Sequence, residues 1–189
     1  MLTGNLEYLI SSLPNLTFSD SESVQHEVSG LFNKYAFNTK DTKDLVAILD
    51  EEASKYLSST AIERFKSVKL NNIHSKSFQN SATEVISDFS KFMFALKSEL
   101  KTVRLQRKTE ESIGKSNYEL LGDLPKNPLQ AEEYLLNIQW QKLEALSFGH
   151  YADFSALVLY KLKLEVLLRW WQFDAEIGFK VFQQSLRVA

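Results

Sequence analysis

Between Phe78 and Leu96 the apolar residues Phe78, Ala82, Val85, Phe89, Phe92 and Leu96 step alternately by four and three. That rhythm lays them along one narrow face of an α-helix; a strand, whose faces alternate at every second residue, cannot gather them. A seam of this kind suits packing along another long helix, in the same chain or in a second copy. Past Leu96 it shifts to Leu100 and Val103 while the sequence turns polar and basic, so one long helix is predicted around residues 75–108. Six glycines and three prolines in 189 residues leave few places to break a helix, and both residue types cluster where turns are expected.

The remainder reads as further helices. Leu6 to Leu13 is a short apolar element stopped by Pro14, which disfavours helix at the residue before it. Ser19-Asp20-Ser21-Glu22 has the form of a capping box and opens a helix to Tyr35. After Asn38–Asp41, the positions Leu45, Ile48, Leu49, Ala53 and Leu57 share a face, and Ile62, Phe65 and Val68 continue the pattern beyond Ser58-Ser59-Thr60. Residues 109–126, with Gly114, Ser116, Gly122 and Pro125, read as a linker or hairpin tip. Asn127-Pro128 restarts helix as N-cap and first helical residue. Gly149 closes that helix, and Asp153 caps the next. This one, Phe154 to Trp171, is apolar nearly all round except for Lys161, Glu165 and Arg169 at four-residue spacing. Asp174 is expected to cap a last helix with Ile177, Val181, Phe182 and Leu186 inside. The expectation is an all-α, multi-helix bundle. Residues 1–108 form its N-terminal region, and a C-terminal three-helix region, 127–189, packs on the first as one globular unit.

Most catalytic classes leave marks that are missing. With no cysteine there is neither thiol nucleophile nor thiolate metal site, which fits a reducing cytosol. The six glycines are isolated, so no phosphate-cradling loop is present and no cofactor is expected. His150 with Asp153 or Glu144, and His26 with Glu22 and Glu27, lack the further ligands that a metal needs. The carboxylate runs Asp50-Glu51-Glu52, Glu110-Glu111 and Glu132-Glu133 lie among polar residues and read as solvated charge. A net charge of −2 offers nucleic acid no overall footprint. The N-terminus lacks the basic start of a secretory signal, and the most apolar segment, Phe154 to Phe173, carries four charges, so neither export nor a membrane span is expected.

What remains points to binding. Lys97, Lys101, Arg104 and Lys108 fall on one helical face with Arg107 beside them, and Glu99 is the exception in a stretch poor in acids. The plain reading is a solvated helix end whose cations favour the dipole; the functional one is contact with an acidic protein. Trp170 and Trp171 are adjacent and therefore about 100° apart around a helix. If one points inward, the other meets a second surface, a neighbouring helix or a partner.

The opening Tyr8-Leu9-Ile10-Ser11-Ser12-Leu13-Pro14-Asn15-Leu16 resembles the start of a bacterial family linked with V/A-type rotary ATPase operons. So do Asn127-Pro128-Leu129, Glu132-Glu133-Tyr134-Leu135, Phe148-Gly149-His150-Tyr151-Ala152-Asp153-Phe154 and Arg169-Trp170 in the second half. The resemblance implies a non-catalytic role like that of the C-type (or d-type) central-stalk component, the helical piece that couples the central stalk to the membrane rotor ring. Its partners would be stalk and rotor-ring subunits, and it would be cytoplasmic, meeting the inner membrane only through the complex. The chain departs from that component in length, since the established examples are much longer and built from three related helical units. A helical adaptor unrelated to the ATPase, homodimeric through the Phe78–Leu96 seam, is the alternative.

Overall fold

The computed structural model describes residues 6–35, 45–109 and 119–173, with the side chains of all of these except 31–35 and 107–109. Among them the regular structure is helical throughout, as the spacing of apolar residues requires. The helices are α1 (Leu6–Ser12), α2 (Glu22–Tyr35), α3 (Leu45–Ser54), α4 (Ser59–Ser67), α5 (Lys76–Gln79), α6 (Glu84–Thr109), α7 (Pro128–Ser147) and α8 (Phe154–Trp171). One continuous core joins Leu9, Val28, Leu49, Phe65, Phe89, Leu136 and Leu164 from seven of them. α8 lies at its centre, touching α1, α3, α6 and α7. None of the described helices is long and apolar enough to cross a membrane.

Local chemistry sets the ends. Asn127 accepts from the N–H groups of Leu129 and Gln130 at 2.9 and 3.3 Å, with Pro128 in the first turn, where its missing N–H costs nothing. Asp153 accepts from Ala156 N–H at 2.8 Å to open α8. Between these helices Gly149 takes a φ of 87°, which side-chain-bearing residues rarely adopt. Ser58 caps α4, so the Ser58-Ser59-Thr60 run breaks the helix there.

The long helix begins later than its seam. Phe78 belongs to α5, and α6 begins only at Glu84. Polar side chains intervene: Ser81 Oγ accepts from Thr83 N–H at 3.2 Å, and Ser87 Oγ donates to Gln79 O at 2.6 Å. Such local bonds give the backbone an alternative to helix, and Ala82 in this turn is exposed while Phe78 and Val85 on either side of it pack into the core. The reading of 109–126 as a linker also needs amending. Leu121 is fully buried, and Glu99 accepts from the N–H groups of Leu120 and Leu121 at 3.2 and 3.1 Å, fastening this stretch to α6. Residues 110–118, and the last helix expected after Asp174, lie outside the described residues.

The charged ladder of α8 runs from the core to the surface, with Lys161 buried, Glu165 half-buried and Arg169 exposed. Lys161 is wholly buried, bonded to Asp50 of α3 at 2.8 Å and to Phe65 O of α4 at 3.0 Å, with its ammonium 4.5 Å from the centre of the Phe65 ring. Glu165 accepts from Leu70 N–H, and Arg169 pairs with Glu132 of α7. Burial raises the Glu165 carboxyl above its usual range, against the pull of Leu70 N–H and the nearby lysines. Each rung thus ties α8 to a different part of the chain.

The N-terminal segment is fastened to the same helix. Tyr160 Oη donates to Pro14 O at 2.8 Å and Trp171 Nε1 to Ser19 O at 2.9 Å. Eleven residues of α-helix and five of extended chain both span roughly 16 Å. The segment therefore runs extended along α8, with Pro14 and Leu16 buried beneath it. Desolvation pushes the Tyr160 hydroxyl well above the usual tyrosine range.

Candidate functional site

A groove of about 600 Å³ opens where α6 passes α7, closed at one end by Leu70, Asn71 and Arg169. Its floor is apolar. Met93, Leu96 and Leu100 come from α6 and Leu135 from α7, and all but the half-buried Leu100 are buried. Its rim is cationic: Lys97, Lys101 and Arg104 stand along α6, each exposed, with Arg169 opposite. The same helix supplies both because residues three and four apart share a face. The seam of α6 enters the core, and the next positions round the helix carry the charges along its edge.

The site is electrostatically unbalanced. Glu132 is the carboxylate in its wall, and Arg169 already occupies it. Glu99 sits about 200° round the helix from Lys97, and its oxygens are taken by Leu120 and Leu121. Among the described residues neither Lys101 nor Arg104 has an ion-pair partner. Lys97 Nζ instead lies 3.0 Å from His74 Nδ1, so with the ammonium as donor the imidazole is neutral and carries its proton on Nε2. Burial, then the charge of Arg169, lowers the pKa of Lys97; burial, then the charge of Lys97, lowers that of His74. Positive groups are thus held together without a matching anion among the described residues. An anionic ligand with an apolar face meets both halves of this arrangement.

Three of the basic positions picked out in the sequence, Lys97, Lys101 and Arg104, therefore come together with a groove; the side chains of Arg107 and Lys108 lie outside those described. Periodicity could not find Arg169, Leu135 or Asn71, which other elements bring in. The adjacent tryptophans both meet another part of the same chain. Trp170 stacks on Phe18 with ring centres 4.2 Å apart, and Trp171 donates to Ser19 O. Both are half-buried, and the second surface is the chain's own N-terminal segment. The most exposed aromatics among the described residues are Phe148 and Tyr151 in the turn between α7 and α8, at 87% and 73% exposure.

The histidine–carboxylate candidates are structural in form. His150 Nδ1 lies 2.6 Å from Asp153 Oδ2, while Asp153 Oδ1 caps α8. Burial opposes ionisation of Asp153, but the bonds from Ala156 N–H and His150 outweigh it and hold the carboxyl below its ordinary range. Glu144 pairs with Lys163 at 3.0 Å. The carboxylate runs are less solvated than expected, since Asp50 serves Lys161 and Glu132 serves Arg169; Glu110 and Glu111 lie outside the described residues. Among the described residues no three histidine or acidic side chains gather to hold a metal ion. No family model, curated protein or solved structure matches the chain.

Proposed function

We propose that the chain is a non-catalytic structural or assembly subunit of a bacterial V/A-type ATPase, similar to the C-type (d-type) central-stalk component, and that it works by binding. The observation that carries the binding role is the groove beside α6, where Lys97, Lys101 and Arg104 stand without carboxylate partners among the described residues, on a chain of net charge −2. Cationic charge beside the half-buried Leu100 and the exposed Leu105 suits a protein partner better than a phosphate backbone, which rewards cations without apolar neighbours. The ATPase as the assembly is supported by the resemblance of the Tyr8–Leu16 and Phe148–Phe154 segments. These segments build most of α1 with the start of the extended strap, and the α7–α8 turn.

A homodimer through the Phe78–Leu96 seam forms no part of the proposal, because Val85, Phe89 and Leu96 are already buried within one chain. The test is a pull-down of the tagged chain from gently solubilised native membranes, with co-purifying proteins identified by mass spectrometry. Stalk and rotor-ring subunits in stable proportion are expected. Recovery of intact ATPase elsewhere in the same lysate, with none on the tagged chain, rules the ATPase role out.

A further inference from the structure

We propose that the groove between α6 and α7 seats an acidic amphipathic helix of a partner protein, its apolar stripe facing the half-buried Leu100 and its carboxylates on Lys97, Lys101 and Arg104. This deepens the binding role proposed above, on which it rests, by giving the partner its chemistry.

Three features select that occupant. The cations are spread along seven residues of α6, about 10 Å of helix axis, whereas a single anionic head group calls for charges that converge on one point. A second helix lying along α6 presents carboxylates at three- and four-residue spacing, the same interval as the cations. The floor is a strip, not a pit: Met93, Leu96 and Leu100 follow one another along α6, and Leu135 of α7 forms the facing wall. An apolar stripe anchored at such spacing is how grooves take helices. Glu132 is held by Arg169, so the groove's own acid is already neutralised and does not repel an incoming carboxylate.

The full-length protein is titrated into three fluorescent peptides of roughly 18 residues, five helical turns. One carries leucines on a single face flanked by glutamates. The second has the same composition with the leucines scattered around the helix. The third is the first with lysine for every glutamate. The first is expected to bind at least about tenfold more tightly than either other, and more weakly as salt is raised. Lys101→Glu, a change on an exposed position, is expected to weaken it about tenfold or more, with the helical circular-dichroism signal unchanged.

Equal binding of the first two peptides reduces the effect to net-charge attraction and overturns the proposal. So does an undiminished affinity in Lys101→Glu. Binding to phosphatidylglycerol vesicles without binding to the first peptide transfers the groove to lipid, and a concentration-dependent dimer abolished by Lys101→Glu transfers it to a second copy; both overturn it. The ATPase role is judged separately. Peptide binding without co-purifying ATPase subunits sinks the assembly and leaves the groove. Co-purification undisturbed by Lys101→Glu, with no peptide binding, does the reverse.

Discussion

Lys161 carries an ammonium into the centre of the bundle, where Asp50 and the Phe65 carbonyl satisfy it. A charge in that position is tolerated only while paired, because removing one partner leaves the other desolvated. Asp50→Ala is expected to cost about 3 kcal/mol in chemical denaturation, whereas Asp50→Ala combined with Lys161→Met recovers most of the loss. Equal costs for the single and double variants contradict this account of the pair. At the groove, folding lowers the His74 pKa, first by burial and then through Lys97. The stability contributed by the neutral ring is therefore complete above the free-histidine value of about 6.5 and is lost as pH falls through the folded value. An NMR titration is expected to find His74 below that free value, to move it upward in Lys97→Ala, and to move it upward again when the acidic peptide supplies negative charge. A peptide that binds without moving it is not neutralising the cations beside it.

The break between α5 and α6 shows how far an apolar rhythm reaches. Phe78 and Val85 both reach the core while Ala82 between them is exposed, so the pattern marks most of the side chains that enter the core but not whether the backbone between them is helical. What signalled the turn was Ser81 with Thr83, short polar side chains that bond their own backbone. Caps were legible because each rests on one residue's local geometry, as at Asn127-Pro128 and Asp153. Glu99 was visible as the lone acid in a basic stretch, but its purpose lies twenty residues away in amides that periodicity does not register. The cationic rim was half legible for the same reason: Lys97, Lys101 and Arg104 are neighbours in sequence, whereas Arg169 and Leu135 arrive only through packing. Replacing Glu99 by Ala should speed hydrogen exchange of the Leu120 and Leu121 amides by about tenfold or more, the worth of bonds to a charged acceptor. Exchange in the α8 core should stay unchanged; unaltered rates at Leu120 and Leu121 show that the stretch is fastened by burial of Leu121 alone.

Over the whole molecule, α8 organises the fold and α6 presents the site. The extended segment from Pro14 to Ser19, the ladder at Lys161, Glu165 and Arg169, and the packing of α7 all converge on α8. α6 can therefore give one edge to unpaired charge without endangering the core. That division of labour suits a part that binds along one face while its shape is held from the other side. The most direct measurement is quantitative mass spectrometry of V/A-type ATPase purified through its nucleotide-hydrolysing head, from cells carrying either the wild-type chain or the Lys101→Glu, Arg104→Glu variant. A fixed ratio of wild-type chain to stalk subunits, reduced about tenfold or more in the variant at equal cellular abundance, is the predicted result. Absence of the wild-type chain from intact complex, or equal recovery of the two forms, contradicts the account.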